Sequence, residues 1–422
     1  MDFPKMVKIR SAFPGDKIED IEAAVIRQLK AAGLESKVRP GMTVAITAGS
    51  RGVANIALII RTICLMLKSL GAHPIIVPAM GSHGGATAEG QTEVLRSLGI
   101  TESYCEAPIR SGMDVTQIGT TKSGMPVYAD NRILASDGVI LLNRVKMHTD
   151  FNSPHGIESG LVKMAAIGIG KHKQALLLHG KGVHGIRDIM PEVGQLTIER
   201  LNVLCGVALV ENAYDETAVI EAIPKELIVT RERELLKIAK RYMPKLPVDD
   251  IDVLVVDEIG KSYSGTGMDT NIIGRLRIAG EREPESPRIK YIIASDLSEA
   301  SHGNALGIGL ADLTTRRLFE KIDFRATNEN VVTSSFLHRA MIPIVLENDR
   351  EALRTALRCL WGVEPAKARV VRIANTLHLK YAYVSESLLP ELAGEPHVEV
   401  LGEPEEIRFD ETGHFPKHDF AR

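Results

Sequence analysis

Aromatic side chains are scarce in this chain of 422 residues: Phe, Trp and Tyr together make 4%, and Trp361 is the single tryptophan. A core of small and aliphatic side chains follows, and an apolar ligand pocket is disfavoured. Cysteine is also scarce. Cys64, Cys105, Cys205 and Cys359 stand apart with no CxxC, which excludes the usual structural zinc, iron–sulfur and disulfide frameworks and makes a reducing cytoplasm the expectation. No sign of charge dominates. With 51 Lys and Arg against 54 Asp and Glu, the net charge is −3, so no broad positive field exists to hold a phosphate backbone, and nucleic acid is not an expected partner. Long apolar runs are missing too. The most apolar window, 56–70, is interrupted by Arg61 and Lys68, and the start MDFPKMVKIRSAFPG has no hydrophobic signal core; neither a membrane span nor export is expected.

What the chain does contain is 36 glycines, 13 histidines and an α/β rhythm. At about 150 residues per domain, its length suits two or three domains. Residues 18–34 read as a helix, 42–47 (MTVAIT) as a strand, 55–70 as a helix ending at Gly71, 74–78 (PIIVP) as a strand, 87–98 as a helix, and 137–143 (DGVILLN) as a buried strand. Such alternation predicts a parallel sheet covered by helices. A break at 243–250 (MPKLPVDD) follows a basic helix over 231–242 and marks a domain boundary. Beyond it come a strand at 251–257, the glycine-rich stretch GKSYSGTGMDTN, a strand at 290–295, a helix over 311–322, a capping-box helix over 349–361 and a strand at 369–374. The fold class is therefore α/β: two α/β domains, 1–246 and 247–422, with mainly parallel sheets, the active site expected in the cleft between them, and the last residues expected to pack back on the first domain.

Three loops follow predicted strands: AGSRGVAN (48–55), GSHGGAT (81–87) and NRVKMHTDF (143–151). Open α/β sheets bind ligands at the carboxyl ends of their strands. Each loop sets ionisable residues (Arg51; His83; Arg144, Lys146, His148 and Asp150) among small ones, a composition that lets backbone N–H groups approach an anion. The same glycines equally suit plain turns. Nucleotide fingerprints are missing: no GxxxxGK precedes Ser or Thr, and GIGKHK (168–173) and GTGMDT (265–270) both fail as GxGxxG. His148 and His155 are seven apart, as are His172 and His179, and seven helical residues span about 10 Å, too far for two ligands of one ion.

The segment ESGLVKMAAIGIGKHKQALLLHG (158–180) sets Lys163 among small apolar residues. Desolvation there would make a neutral, nucleophilic amine; the plainer reading is a snorkelling lysine at a strand edge. His179 reads either as a metal ligand or as a helix-terminal histidine facing the dipole.

Taken together, SRGVAN, GSHGGAT, KMHTDF, ESGLVKM with IGIGK, and a histidine sixteen positions after Lys163 resemble the nickel-pincer lactate racemases over almost the whole chain. The resemblance implies that residues up to 246 form the cofactor-binding domain. It makes Lys163 the residue bonded to a nickel-pincer nucleotide of the pyridinium-3,5-bisthiocarboxylic acid mononucleotide type and His179 the nickel ligand. His83 and His148 become the paired bases, with His155 the alternative to His148. Arg51 would orient the substrate carboxylate, and Ser50, Gly81 and Ser82 would join it around the cofactor. One imidazole suits a square-planar site whose other donors come from the cofactor. The implied activity is a racemase or epimerase that inverts C2 of a 2-hydroxy acid by reversible hydride transfer through a 2-keto acid. In GMDTNIIGRLR (267–277), Gly274 and Arg277 stand where the lactate enzyme places glutamine and lysine, with Lys261 a further contact. That difference favours a sugar acid or hydroxy diacid over lactate, on the reading that the glycine opens space and the arginine takes a second polar group. Enzymes of cofactor synthesis would be partners; oligomeric state is open. The competing readings are a hydroxy-acid oxidoreductase or lyase using another nucleotide, and a non-enzymatic protein binding an anionic metabolite or the cofactor.

Overall fold

The computed structural model describes residues 2–416 and Phe420. Its chain divides into two compact units: Pro14–Met243 forms one, and the first thirteen residues join the chain from Pro244 onward in the other.

The opening strand β1 (Met6–Ser11) lies in the sheet of the second unit. In the first unit follow β2 (Thr43–Ala48), β3 (His73–Pro78), β4 (Val115–Thr120), β5 (Pro126–Asp130), β6 (Gly138–Arg144), β7 (Val203–Glu211) and β8 (Thr217–Ile223). Five of these make a sheet in the order β3-β2-β6-β7-β8, parallel except for β8, while β4 and β5 pair as a separate antiparallel ribbon. The parallel strands are buried almost end to end because helices cover the sheet. Helix Ile56–Ser69, for example, buries Ile59, Ile60, Ile63, Cys64 and Leu67, the spacing of one helical face. From β2 the chain steps to β3 on one side and later returns to β6 on the other. The carboxyl ends of β2 and β6 therefore flank a topological switch point, where open α/β sheets leave a crevice.

The second unit continues with β9 (Asp250–Val256), β10 (Arg288–Ala294), β11 (Leu313–Thr315), β12 (Ile344–Leu346), β13 (Val370–Ile373), β14 (Tyr381–Ser385) and β15 (Val398–Val400). Its eight-stranded sheet has the order β12-β11-β10-β9-β13-β14-β1-β15, parallel from β12 to β13 and antiparallel beyond. Helix Asp349–Arg358 lays Ala352, Leu353, Ala356 and Leu357 against Val253, Val255, Ile293 and Val370, with Phe415 in the same core.

Two sequence expectations change. Residues 6–11 do not belong with the first domain, because β1 finds its hydrogen bonds between β14 and β15. Residues 311–322 are not one helix: Leu313–Thr315 is a strand, and helix Arg316–Glu320 begins only after Thr315 accepts the Leu318 N–H. The hydroxyls of Thr314 and Thr315 donate to the carbonyls of Ala294 and Ser295 at 2.8 and 2.6 Å, so tertiary pairing overrides the helical period. Phe415 packs in the core of the second unit, and the residues after Pro416, apart from Phe420, lie outside the described part.

Candidate active site

Loops from β2, β3 and β6 meet one helical run. Short helix Leu161–Lys163 passes through a π-turn at Met164–Gly168 into helix Ile169–His179, and π-turns recur at functional sites. Glu232, buried on helix Ile228–Tyr242, accepts the Val162 N–H at 2.9 Å and so caps the start of the run. Gly160 is needed there, since an added Cβ would meet the Glu232 carboxyl at 2.5 Å. Met164 reaches back beneath Gly49, the first residue after β2, and Ile167 lies beneath Gly81. Gly81 has φ +60 and no room for a Cβ, which would come 2.9 Å from Ile167.

Lys163 is therefore on a helix and not at a strand edge, and its amine meets a second candidate: Nζ lies 2.8 Å from His148 Nε2. Burial, against the pull of the Asp150 carboxylate and with the help of Lys146 and Arg51, lowers the Lys163 pKa to about 8. Burial first and the Lys163 charge next hold His148 well below the usual imidazole value. The ring of His148 is fixed by stacking on Phe151 with centroids 4.4 Å apart. Its backbone is fixed by Glu158, which is buried and accepts the His148 N–H at 2.8 Å. His155 is exposed and its imidazole faces Asp188 at 3.9 Å. His179, the last residue of its helix, has its pKa lowered by lost hydration and by the charge of Lys163, so near neutrality its nitrogen lone pair is available to a metal.

His83 sits in the loop after β3, and its Nδ1 shares a short hydrogen bond with the Ser50 hydroxyl from the loop after β2. Ser50 thus holds a histidine. Arg51 and Ser82 are exposed beside them. The loop carrying Arg51 is tied down by Glu211, which accepts the Ala54 N–H at 2.5 Å and pairs with Arg144.

The remaining predicted contacts belong to the second unit. The Lys261 amine donates to the Gly265 carbonyl at 3.0 Å. The Arg277 guanidinium pairs with Asp312 at 2.7 Å, a carboxylate that Arg275 also engages at 2.7 Å. Gly274 does not open space: φ is +59, and a Cβ would meet the Pro287 carbonyl oxygen at 2.1 Å. That glycine permits a close approach of two backbones.

Sequence reading missed Glu158, Glu232, Asp150 as a charge partner, and Gln91. Only ESG and HTDF carried any local signal, because a buried carboxylate from a distant helix has none.

Among the described residues no group of three or more His, Cys, Asp or Glu side chains is arranged to hold a metal. A site of one lysine and one histidine instead fits a metal whose other donors arrive on a bound molecule. No helix among these residues is long and apolar enough to cross a membrane.

At the strand ends of this α/β unit an amine of lowered pKa meets the His148 imidazole, and His83 is held by Ser50 on the neighbouring loops. Residues 7–184 match the lactate racemase N-terminal domain. The fold is similar to that of the lactate racemase apoprotein from Thermoanaerobacterium thermosaccharolyticum, with TM-score 0.51 and 12% identity over 88% of this chain and 98% of that one. No curated protein matches. The family match thus covers 7–184, and beyond it the likeness is one of fold.

Proposed function

We propose that this protein is a racemase or epimerase that inverts C2 of a 2-hydroxy acid other than lactate, with a nickel-pincer nucleotide bonded to Lys163. The observation that carries this reading is the Lys163–His148 contact of 2.8 Å, which gives one amine the setting of a nucleophile and one imidazole a place beside it. His179 would bind the nickel as a neutral imidazole. When bound, the cofactor supplies a reversible hydride acceptor, which no side chain provides.

The chain's own residues handle protons and charge. Inversion in both directions needs a base on each face of the substrate carbon, near neutral pKa. His83 and His148 take these places, each removing the hydroxyl proton of one enantiomer and returning it to the other. Ser50 orients His83 through Nδ1, and the Asp150 N–H, 3.1 Å from His148 Nδ1, orients His148. Arg51 receives the substrate carboxylate, and Ser50, Gly81 and Ser82 line the cofactor side. Because Arg277 is paired with Asp312 and Gly274 leaves no space, the preference for a sugar acid or hydroxy diacid rests on the polar loop side chains Ser50, Arg51, Ser82 and Lys146 more than on those two residues.

The test is a panel of chiral 2-hydroxy acids, including lactate, sugar acids and hydroxy diacids, incubated with cofactor-loaded protein in deuterium oxide. Inversion with C2 retaining its own hydrogen is expected. Rapid exchange of that hydrogen, or net oxidation without inversion, would favour the lyase or oxidoreductase reading.

A further inference from the structure

Lys171, the last residue of IGIGK, is fully buried, and its backbone at φ 55 and ψ −159 interrupts helix Ile169–His179. Such a conformation in a residue with a side chain is costly and persists only where surroundings fix it. The surroundings here are polar. Its ammonium lies 3.1 Å from Asp130 Oδ2 at the end of β5, donates to the Pro78 carbonyl at the end of β3, and donates to Gln91 Oε1 at 3.0 Å. Asp130 Oδ1 is held by the Arg132 N–H and Nε at 2.8 and 2.6 Å. The ammonium thus donates two hydrogen bonds and is ion-paired with a buried carboxylate.

Gln91, on helix Ala88–Ser97 and also fully buried, turns this cluster toward the site. An ammonium only donates and a carbonyl only accepts, so the amide has one possible orientation. Its Nε2 donates to the carbonyls of Gly81 at 3.0 Å and of His83 itself at 3.2 Å. The loop lies so close to this helix that a Cβ on Gly84 would meet Gln91 N at 2.6 Å. His83 is consequently anchored twice, at its ring by Ser50 and at its own carbonyl by Gln91. Lys163 is eight residues from Lys171 on the same helical run, so the chain Asp130, Lys171, Gln91 ties the loop of His83 to the element that carries Lys163.

We infer that Lys171 and Gln91 are positioning residues for His83, forming a buried relay that sets this base relative to the Lys163 helix. The inference rests on the reading of His83 as a base, but the relay itself can be tested without turnover. Gln91→Glu keeps an acceptor for Lys171 while replacing the amide donor with an oxygen that faces two carbonyls; Gln91→Met removes the link altogether. Asp130→Asn combined with Lys171→Met deletes the buried charge pair as a unit, avoiding an unpaired ion.

The readout is the rate of diethyl pyrocarbonate modification of His83, mapped by mass spectrometry on unloaded protein, with exposed His155 as internal reference and the thermal midpoint recorded alongside. Losing one to two neutral hydrogen bonds should raise the His83 rate by about tenfold, with His155 unchanged. In loaded protein kcat should fall by a similar factor, with KM and the Lys163 adduct unchanged. If at least one folded Gln91 variant and the folded double variant both show the effect, the relay stands. An unchanged His83 rate in folded Gln91 variants overturns it, as does a double variant that folds and labels like wild type. Should wild type invert no acid on the panel, the labelling still decides the relay, so failure of the racemase reading is separately visible.

Discussion

The Lys163 amine and the His148 imidazole are 2.8 Å apart, and the direction of that hydrogen bond is fixed from the far side of the ring. His148 Nδ1 accepts the Asp150 backbone N–H at 3.1 Å. A neutral imidazole accepting at Nδ1 carries its proton on Nε2, so above the Lys163 pKa of about 8 His148 donates and the free amine receives, whereas its work as a base calls for the other tautomer, with Nε2 unprotonated. That donation agrees with the lowered pKa of both groups.

Lys163 should therefore react with an acylating reagent well below the pH at which ordinary lysines do. Site-specific rates followed across pH should show a midpoint near 8 for Lys163, with exposed lysines such as Lys237 reacting only at higher pH. A Lys163 midpoint indistinguishable from theirs would contradict the assignment.

Replacing His83 or His148 with Gln should reduce turnover by about 10²–10⁴-fold, the range for a lost general base, while His83→Gln leaves the Lys163 adduct in place. Ser50→Ala should cost about tenfold, in line with one hydrogen bond that orients but does not react. Kinetics of the three variants with the best acid from the panel check the ranking; a larger loss in Ser50→Ala than in His83→Gln would reverse these roles.

His179→Ala should keep the cofactor on the lysine yet lose nickel, because the metal's one protein donor is gone. Metal analysis beside intact mass separates the two, and full nickel occupancy in this variant would remove His179 from the site.

Glu232 gives a stability signature. Burial raises its pKa from 4.5 to about 7, so between those values the folded protein keeps a proton that the unfolded chain has lost. Stability from this group is complete below about pH 4.5 and declines as pH rises toward 7, by up to about 3 kcal/mol. Glu232→Gln, which cannot ionise, should flatten that decline in denaturant titrations at pH 5 and 7. A wild-type profile that rises over this interval through Glu232 would contradict the sign.

Much of the fold was legible because its parallel strands are continuous apolar runs and its helices have one apolar face. DGVILLN announces β6, and the 55–70 period announces helix Ile56–Ser69. Strand β1 was not legible, since its partners β14 and β15 lie more than 370 residues away in sequence. Thr314 and Thr315 were read as helix because only their bonds to Ala294 and Ser295 make them strand. At the site, the resemblance of the motifs to those of lactate racemases, not their spacing alone, pointed to Lys163, His83, His148 and His179. The residues that hold them (Ser50 toward His83, Glu158 toward His148, Glu232 and Gln91) act through contacts between distant segments and have no local pattern. Gly274 shows the opposite error, a glycine read as open space that is packed against a carbonyl.

The most direct test of the central claim is peptide-mapped mass spectrometry of the full chain co-expressed with the enzymes that make the nickel-pincer nucleotide. The account predicts one adduct of cofactor mass, on Lys163 alone, accompanied by one nickel and absent from Lys163→Ala. An unmodified Lys163, under conditions in which a lactate racemase expressed in parallel is fully loaded, would contradict it.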